Sequence, residues 1–109
     1  MSAKPLISAI LAIACMAGAS ATAASAIEEA HHAYYYEQFT RSLALYEKLA
    51  AIGDAEAAER AGFMLLQGNG LYGRHVKRDV DRAHGLLVQA AKAGRPGASF
   101  MLNMMERTD

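Results

Sequence analysis

A self-similarity with a period of 41 residues is the strongest constraint on what this chain can fold into. Setting Gly53 on Gly94 brings Ala50 onto Ala91, Ala57 onto Ala98, Arg41 onto Arg82 and Met64 onto Met105. A unit of that size cannot bury an apolar face alone and must stack on a neighbour, as helix-pair arrays do.

The local signals agree with helices. From Ser25 onward the chain is rich in Ala, Leu, Met, Glu and Arg, with few β-branched residues and no alternating apolar run. Ser25 and Glu28 form an S-x-x-E capping box that predicts a helix through about Gln38. Thr40 is the expected cap of a second helix, with Leu43, Tyr46, Leu49 and Ala50 as its buried stripe. Gly53-Asp54 then reads as a stop followed by a start, glycine taking the left-handed conformation and aspartate capping a third helix to about Gln67. Its inner face is Ala57, Ala58, Ala61, Met64 and Leu65. Asp79 or Asp81 opens a fourth, with Val80, Ala83, Leu87, Ala90 and Ala91 inside and Gly94 as its end. Pro96 suits the first turn of a fifth helix, whose stripe is Ala98, Met101, Leu102 and Met105.

The N-terminus reads as an export signal. Lys4 precedes an almost unbroken apolar stretch over residues 5–19, and Ala21-Thr22-Ala23 offers small residues for cleavage. The expectation is a signal peptide over 1–23, with Ala26 as a second cleavage position, and a mature domain over 24–109. The apolar run is shorter than the ~20 residues that span a bilayer. Cys15, the one cysteine, is discarded with the leader. The alternative is lipidation, because Ala12-Ile13-Ala14-Cys15 resembles the lipoprotein processing box. The protein is therefore expected in the periplasm or outside the cell, with membrane attachment only if Cys15 carries the anchor. Eleven basic and eleven acidic residues leave no basic excess, which argues against a general nucleic-acid binder.

Ala61-Gly62, the glycine loop, Asp79 with Ala83, Ala90-Ala91-Lys92-Ala93-Gly94 and Ala98 together resemble the Sel-one-like repeat, a relative of the tetratricopeptide repeat. On that resemblance a full unit spans 54–94, between partial units over 25–53 and 95–109. It implies an all-α fold, a short α/α solenoid of about five antiparallel helices, and the role of a scaffold or adaptor for another protein in the cell envelope. No cofactor and no enzymatic activity go with it. The chain departs from the repeat pattern in extra loop residues around Tyr72 to Val76 and in Gly85-Leu86-Leu87, which lacks the usual aromatic.

Gly68, Gly70 and Gly73 are spaced G-x-G-x-x-G, as in a dinucleotide-binding turn. That motif cradles phosphate only between a strand and a helix, whereas this one follows a helix. It is expected to be a loop joining antiparallel helices.

Three clusters remain as candidate contact sites. Arg74, His75, Lys77, Arg78 and Arg82 gather cationic groups that could hold an anionic ligand or polymer, against the ordinary alternative of a solvated loop offset by Asp79 and Asp81. His31-His32 precede Tyr34, Tyr35 and Tyr36. Adjacent histidines point about 100° apart on a helix, so a carboxylate contact from Glu28 to His32 is expected and no metal site. Phe100, Met101, Met104 and Met105 crowd the last helix, either as core or as a docking or homodimer surface. Tyr34, Tyr35, Arg74, Lys77, Arg78, Met101 and Met105 are the expected partner-binding residues. Ser25, Ser42 and Ser99 belong to no nucleophile motif and no carboxylate pair stands out, so a cell-wall hydrolase would lack an identifiable acid and base.

Overall fold

The computed structural model describes residues 25–108. The expected leader, its cleavage at Ala23 and Cys15 lie outside the described residues. Within them the fold is all-helical: α1 over 25–35, α2 Phe39–Ala51, α3 Ala55–Gln67, the single turn α4 Asn69–Tyr72, α5 Val80–Lys92 and α6 Pro96–Thr108.

The 41-residue period is repeated in the hydrogen bonds. At the end of α2, the Asp54 N–H donates to Leu49 O and the Gly53 N–H to Ala50 O. At the end of α5, the Arg95 N–H donates to Ala90 O and the Gly94 N–H to Ala91 O. Both are Schellman endings, with the glycine at positive φ (101° and 93°). α1 closes the same way, through Gln38 N–H to Ala33 O and Glu37 N–H to Tyr34 O, but here Glu37 takes the left-handed position at φ 60°. A non-glycine residue there costs about 1 kcal/mol of backbone strain.

Two helix starts fall where the sequence places them. Asp54 accepts from the Ala57 N–H at 2.9 Å, and Asp79 accepts from the Arg82 N–H at 3.1 Å. The first two expected caps are corrected. Ser25 is already helical, α1 stops at residue 35, and α2 begins after Gln38, which provides no side-chain cap, leaving Thr40 inside the helix. The short connection explains the position of Thr40, since the Schellman ending of α1 runs straight into Gln38, whose carbonyl takes the first bond of α2 from Ser42.

α3 is the hub. It packs against α2, α5, α4 and α6, and α5 packs in turn against α6. Its buried residues are Ala57, Ala58, Ala61, Gly62, Met64 and Leu65, so the alanine-rich face expected from the sequence is the core face. Small residues bring the backbones close. A Cβ on Gly62 would sit 2.8 Å from Leu87 Cγ and 3.3 Å from the Ala83 carbonyl. Leu43, Ala91, Met101, Leu102 and Met105 pack partly buried at the edge of this core, while Val80 is 40% exposed, contrary to expectation, and lies beside Leu66 and Gln67 on the rim of a surface trough.

The glycine loop is more structured than expected. It contains α4, and it buries Tyr72 and Val76. Gly68 (φ 55°) and Gly73 (φ 88°) take positive φ, and a Cβ on Gly68 would stand 2.5 Å from the Arg78 backbone. The returning strand of the loop satisfies the last carbonyls of α3: Asp79 N–H donates to Leu65 O at 2.9 Å, and Arg78 Nε to Leu66 O at 2.9 Å.

Candidate functional site

One side of the molecule is built from α1, α3, α4 and α6, and there the side chains leave a trough of about 340 Å³. Phe63 and Met64 of α3 form its floor, Tyr34 and Tyr72 one wall, and Phe100 and Met101 of α6 the other. The aromatic wall is cross-braced. The Tyr34 and Tyr72 hydroxyls are 2.9 Å apart, and Tyr72 meets Tyr34, Phe39 and Phe63 edge to face. Burial, with the Tyr34 hydrogen bond second, pushes the Tyr72 hydroxyl well above the usual tyrosine range, so it stays protonated.

Two charged residues line this trough, Glu59 and Arg60. Glu59 is committed: Arg95 donates to its Oε1 through Nε (3.2 Å) and Nη2 (2.7 Å), and the Ala98 N–H donates to Oε2 at 2.9 Å. The hydrogen bonds it donates to Glu59 hold the Arg95 guanidinium protonated even more firmly than usual. Arg60 is much less engaged, with Glu56 at 3.8 Å as its ion-pair partner.

A second trough, of about 440 Å³, lies across α6 and is lined by Leu66, Gln67, Arg78, Val80, Met104 and Met105. Phe100 and Met101 border both, forming a ridge between them. Phe100 is 63% exposed and Met104 45%, and both line the second trough, so they form one apolar strip and not isolated side chains.

Behind the first trough His31 ties three helices together. Its Nδ1 lies 2.6 Å from the Tyr46 hydroxyl on α2, and its Nε2 lies 3.4 Å from Glu56 on α3. Burial pushes the Tyr46 hydroxyl up to about 12. His31, not His32, is therefore the histidine that meets a carboxylate; His32 stacks on Tyr36 with ring centroids 4.5 Å apart. Glu29 next to it pairs with Arg41. Among the described residues no group of three His, Cys, Asp or Glu side chains is placed to hold a metal.

The sequence-derived contact residues separate into distinct places. Tyr34 and Met101 meet in the first trough, and Arg78 and Met105 in the second. Tyr35, next to Tyr34 in the last turn of α1, is 79% exposed and lines neither trough. Arg74 and Lys77 are exposed on the loop after α4, and Arg74 Nε lies 3.4 Å from His75. Arg82 pairs with Glu47 on α2. Arg60, Phe63 and Tyr72 were not among the expected site residues. Arg60 and Phe63 stand on α3 opposite its alanine face, and that reversal of pattern is the signal that marks them.

Comparison with family models, curated proteins and solved structures finds no match to this chain.

Proposed function

We propose that this chain is an exported helical-repeat adaptor that binds another protein of the cell envelope through the apolar trough between α1, α3 and α6. Phe100 on the rim of that trough and Met104 in the adjoining one carry the reading, because large apolar side chains left in water along a concave surface are what protein partners cover. The resemblance of the sequence to the Sel-one-like repeat agrees with it. α3 and α5 form the complete helix pair, α1 with α2 and α6 extend it on either side, and the two Schellman endings repeat at 41 residues. On this reading the helices form a short α/α solenoid, and residues 1–23 are the signal that delivers it to the periplasm or the exterior.

The same period supports a defined end face for the array. Ala58, Gly62 and Leu65 are buried on α3, where Gly62 meets α5. The residues 41 positions later on α6 are Ser99, Asn103 and Glu106, all exposed and polar. A further helix packed on α6 as α5 packs on α3 would have to bury that polar strip.

The competing reading, an anionic polymer held by the basic loop, has less behind it, since Arg82 is paired and Arg78 braces the end of α3. Catalysis gains no constellation from the trough, whose one carboxylate is saturated by Arg95 and Ala98. The test is affinity capture from envelope extract with the wild type and Phe100→Asp side by side. A protein retained by the wild type and lost with the variant is expected; an identical set of captured proteins would overturn the assignment of this face.

A further inference from the structure

The two troughs that meet at Phe100 and Met101 share an electrostatic feature: each holds a guanidinium with hydrogen-bonding capacity unspent. Arg60 has Glu56 at 3.8 Å, beyond hydrogen-bond length, and Glu59 beside it has both oxygens occupied. Among the described residues no acidic side chain lines the second trough, and Arg78 uses Nε, on Leu66 O. The surface is thus apolar in its walls and carries two guanidinium groups with N–H donors to spare.

That combination discriminates among occupants. An anionic polymer would satisfy the guanidinium groups but leave Phe100 and Met104 in water. A second copy docked by this face would bring its own Arg60 and Arg78 toward a surface with no uncommitted carboxylate among its lining residues. The geometry points to an amphipathic segment of a partner protein, with apolar side chains seated along the ridge and a carboxylate beside them meeting Arg60. A carboxylate matches the guanidinium fork in a way a point cation cannot, and the aromatic walls exclude water from the pair, which sharpens discrimination between acidic and basic segments. This inference rests on the adaptor reading and specifies the chemistry of the segment the adaptor takes.

The experiment titrates the full-length protein with three labelled probes. One is a helical peptide with Leu and Phe on one face and Glu beside it, the second is its Lys-for-Glu counterpart, and the third is polyglutamate. The acidic amphipathic peptide is expected to bind, with the basic counterpart weaker by about tenfold or more and polyglutamate weaker still. Arg60→Glu is expected to invert the order of the two amphipathic peptides, and its gain of affinity for the basic one shows that the variant is folded. Equal binding of both peptides by wild type and Arg60→Glu would overturn the role of charge. Polyglutamate binding as tightly as the amphipathic peptide would assign the surface to anionic polymers. No peptide binding, with self-association abolished by Phe100→Asp, would assign it to a second copy. If Arg60→Glu captures the same envelope protein as the wild type, the charge inference alone falls; if the wild type captures none, the adaptor reading falls with it.

Discussion

Arg95 grips Glu59 through two guanidinium nitrogens, Nε at 3.2 Å and Nη2 at 2.7 Å from Oε1, and so holds the other carboxylate oxygen over the first turn of α6. The period explains why. Asp54, 41 residues before Arg95, caps its own helix by accepting from Ala57, and the equivalent amide in α6 is that of Ala98. With arginine in the capping position, the oxygen comes from a neighbouring helix. Losing an N-cap costs about 1 kcal/mol and a partly exposed ion pair adds about 0.2–1 kcal/mol, so Glu59→Ala is expected to destabilise by about 1–2 kcal/mol. Arg95→Ala should cost less than Glu59→Ala, because the amide contact survives it. Urea unfolding followed by circular dichroism measures both, and a larger loss for Arg95→Ala than for Glu59→Ala would refute this division of labour.

Gly97 tests the same contact with a change of sign. A Cβ there would stand 2.7 Å from Glu59 Oε2, so the carboxylate must retreat from α6 to admit it. Gly97→Ala is expected to be neutral or destabilising in the wild type. Once Glu59 is Ala the obstacle is gone, and the helix preference of alanine over glycine, up to about 1 kcal/mol, should make the same substitution stabilising. A double-mutant cycle reads the reversal directly.

Glycine geometry predicts three different outcomes. Gly68 combines φ 55° with the Arg78 backbone 2.5 Å from its missing Cβ, so Gly68→Ala should cost about 2 kcal/mol or more. Gly85, inside α5, has nothing within 4 Å of its Cβ position, and Gly85→Ala should stabilise by up to about 1 kcal/mol. Glu37 occupies the left-handed position at the end of α1, and Glu37→Gly should relieve about 0.5–1 kcal/mol of strain. Thermal melts of the three variants suffice, and a destabilising Glu37→Gly would contradict the Schellman ending of α1.

The alkaline limit of stability should be set partly by Tyr46. Burial pushes its hydroxyl up from 10.0 to about 12, so between those values the unfolded chain releases the proton while the folded chain keeps it. Stability from this group is complete below pH 10 and is lost as pH rises toward 12. Tyr46→Phe should remove that slope at the expense of the His31 hydrogen bond. Tyrosinate absorbance, followed alongside unfolding free energy, would show a late ionisation missing from the variant; an unchanged titration curve would place the high value elsewhere.

What could be read from the sequence was whatever depends on near neighbours. Gly53, Gly94, Asp54 and Asp79 act through partners at most five residues away, and the alanine face of α3 follows from period alone. Glu37 was missed because it does the work of glycine without being one. The expected cap Thr40 failed because the tight α1–α2 connection lets α2 begin directly after Gln38, and Ser25 failed because it is itself helical. Tyr72 meets Tyr34 from 38 residues away, and Glu59 accepts from the Ala98 amide 39 residues on, so no local pattern could announce either. The methionines show the same limit, for their spacing puts them on one helix without saying which of them the core takes.

The structure resolves that last question and selects the substitutions for mapping the contact face. Met101 and Met105 pack partly buried against the core, whereas Phe100 and Met104 point outward. Placing a charge at Met101 would therefore combine lost binding with lost stability, by about 2 kcal/mol or more for a carboxylate forced against apolar neighbours. Phe100→Asp and Met104→Asp should leave stability within about 0.5 kcal/mol of the wild type, as exposed substitutions usually do. If those two variants nevertheless lose the captured partner, the loss belongs to the interface itself. If instead they unfold, the ridge is part of the core, and the docking face must be sought at Tyr35 and Tyr36, the other large side chains that α1 leaves in water.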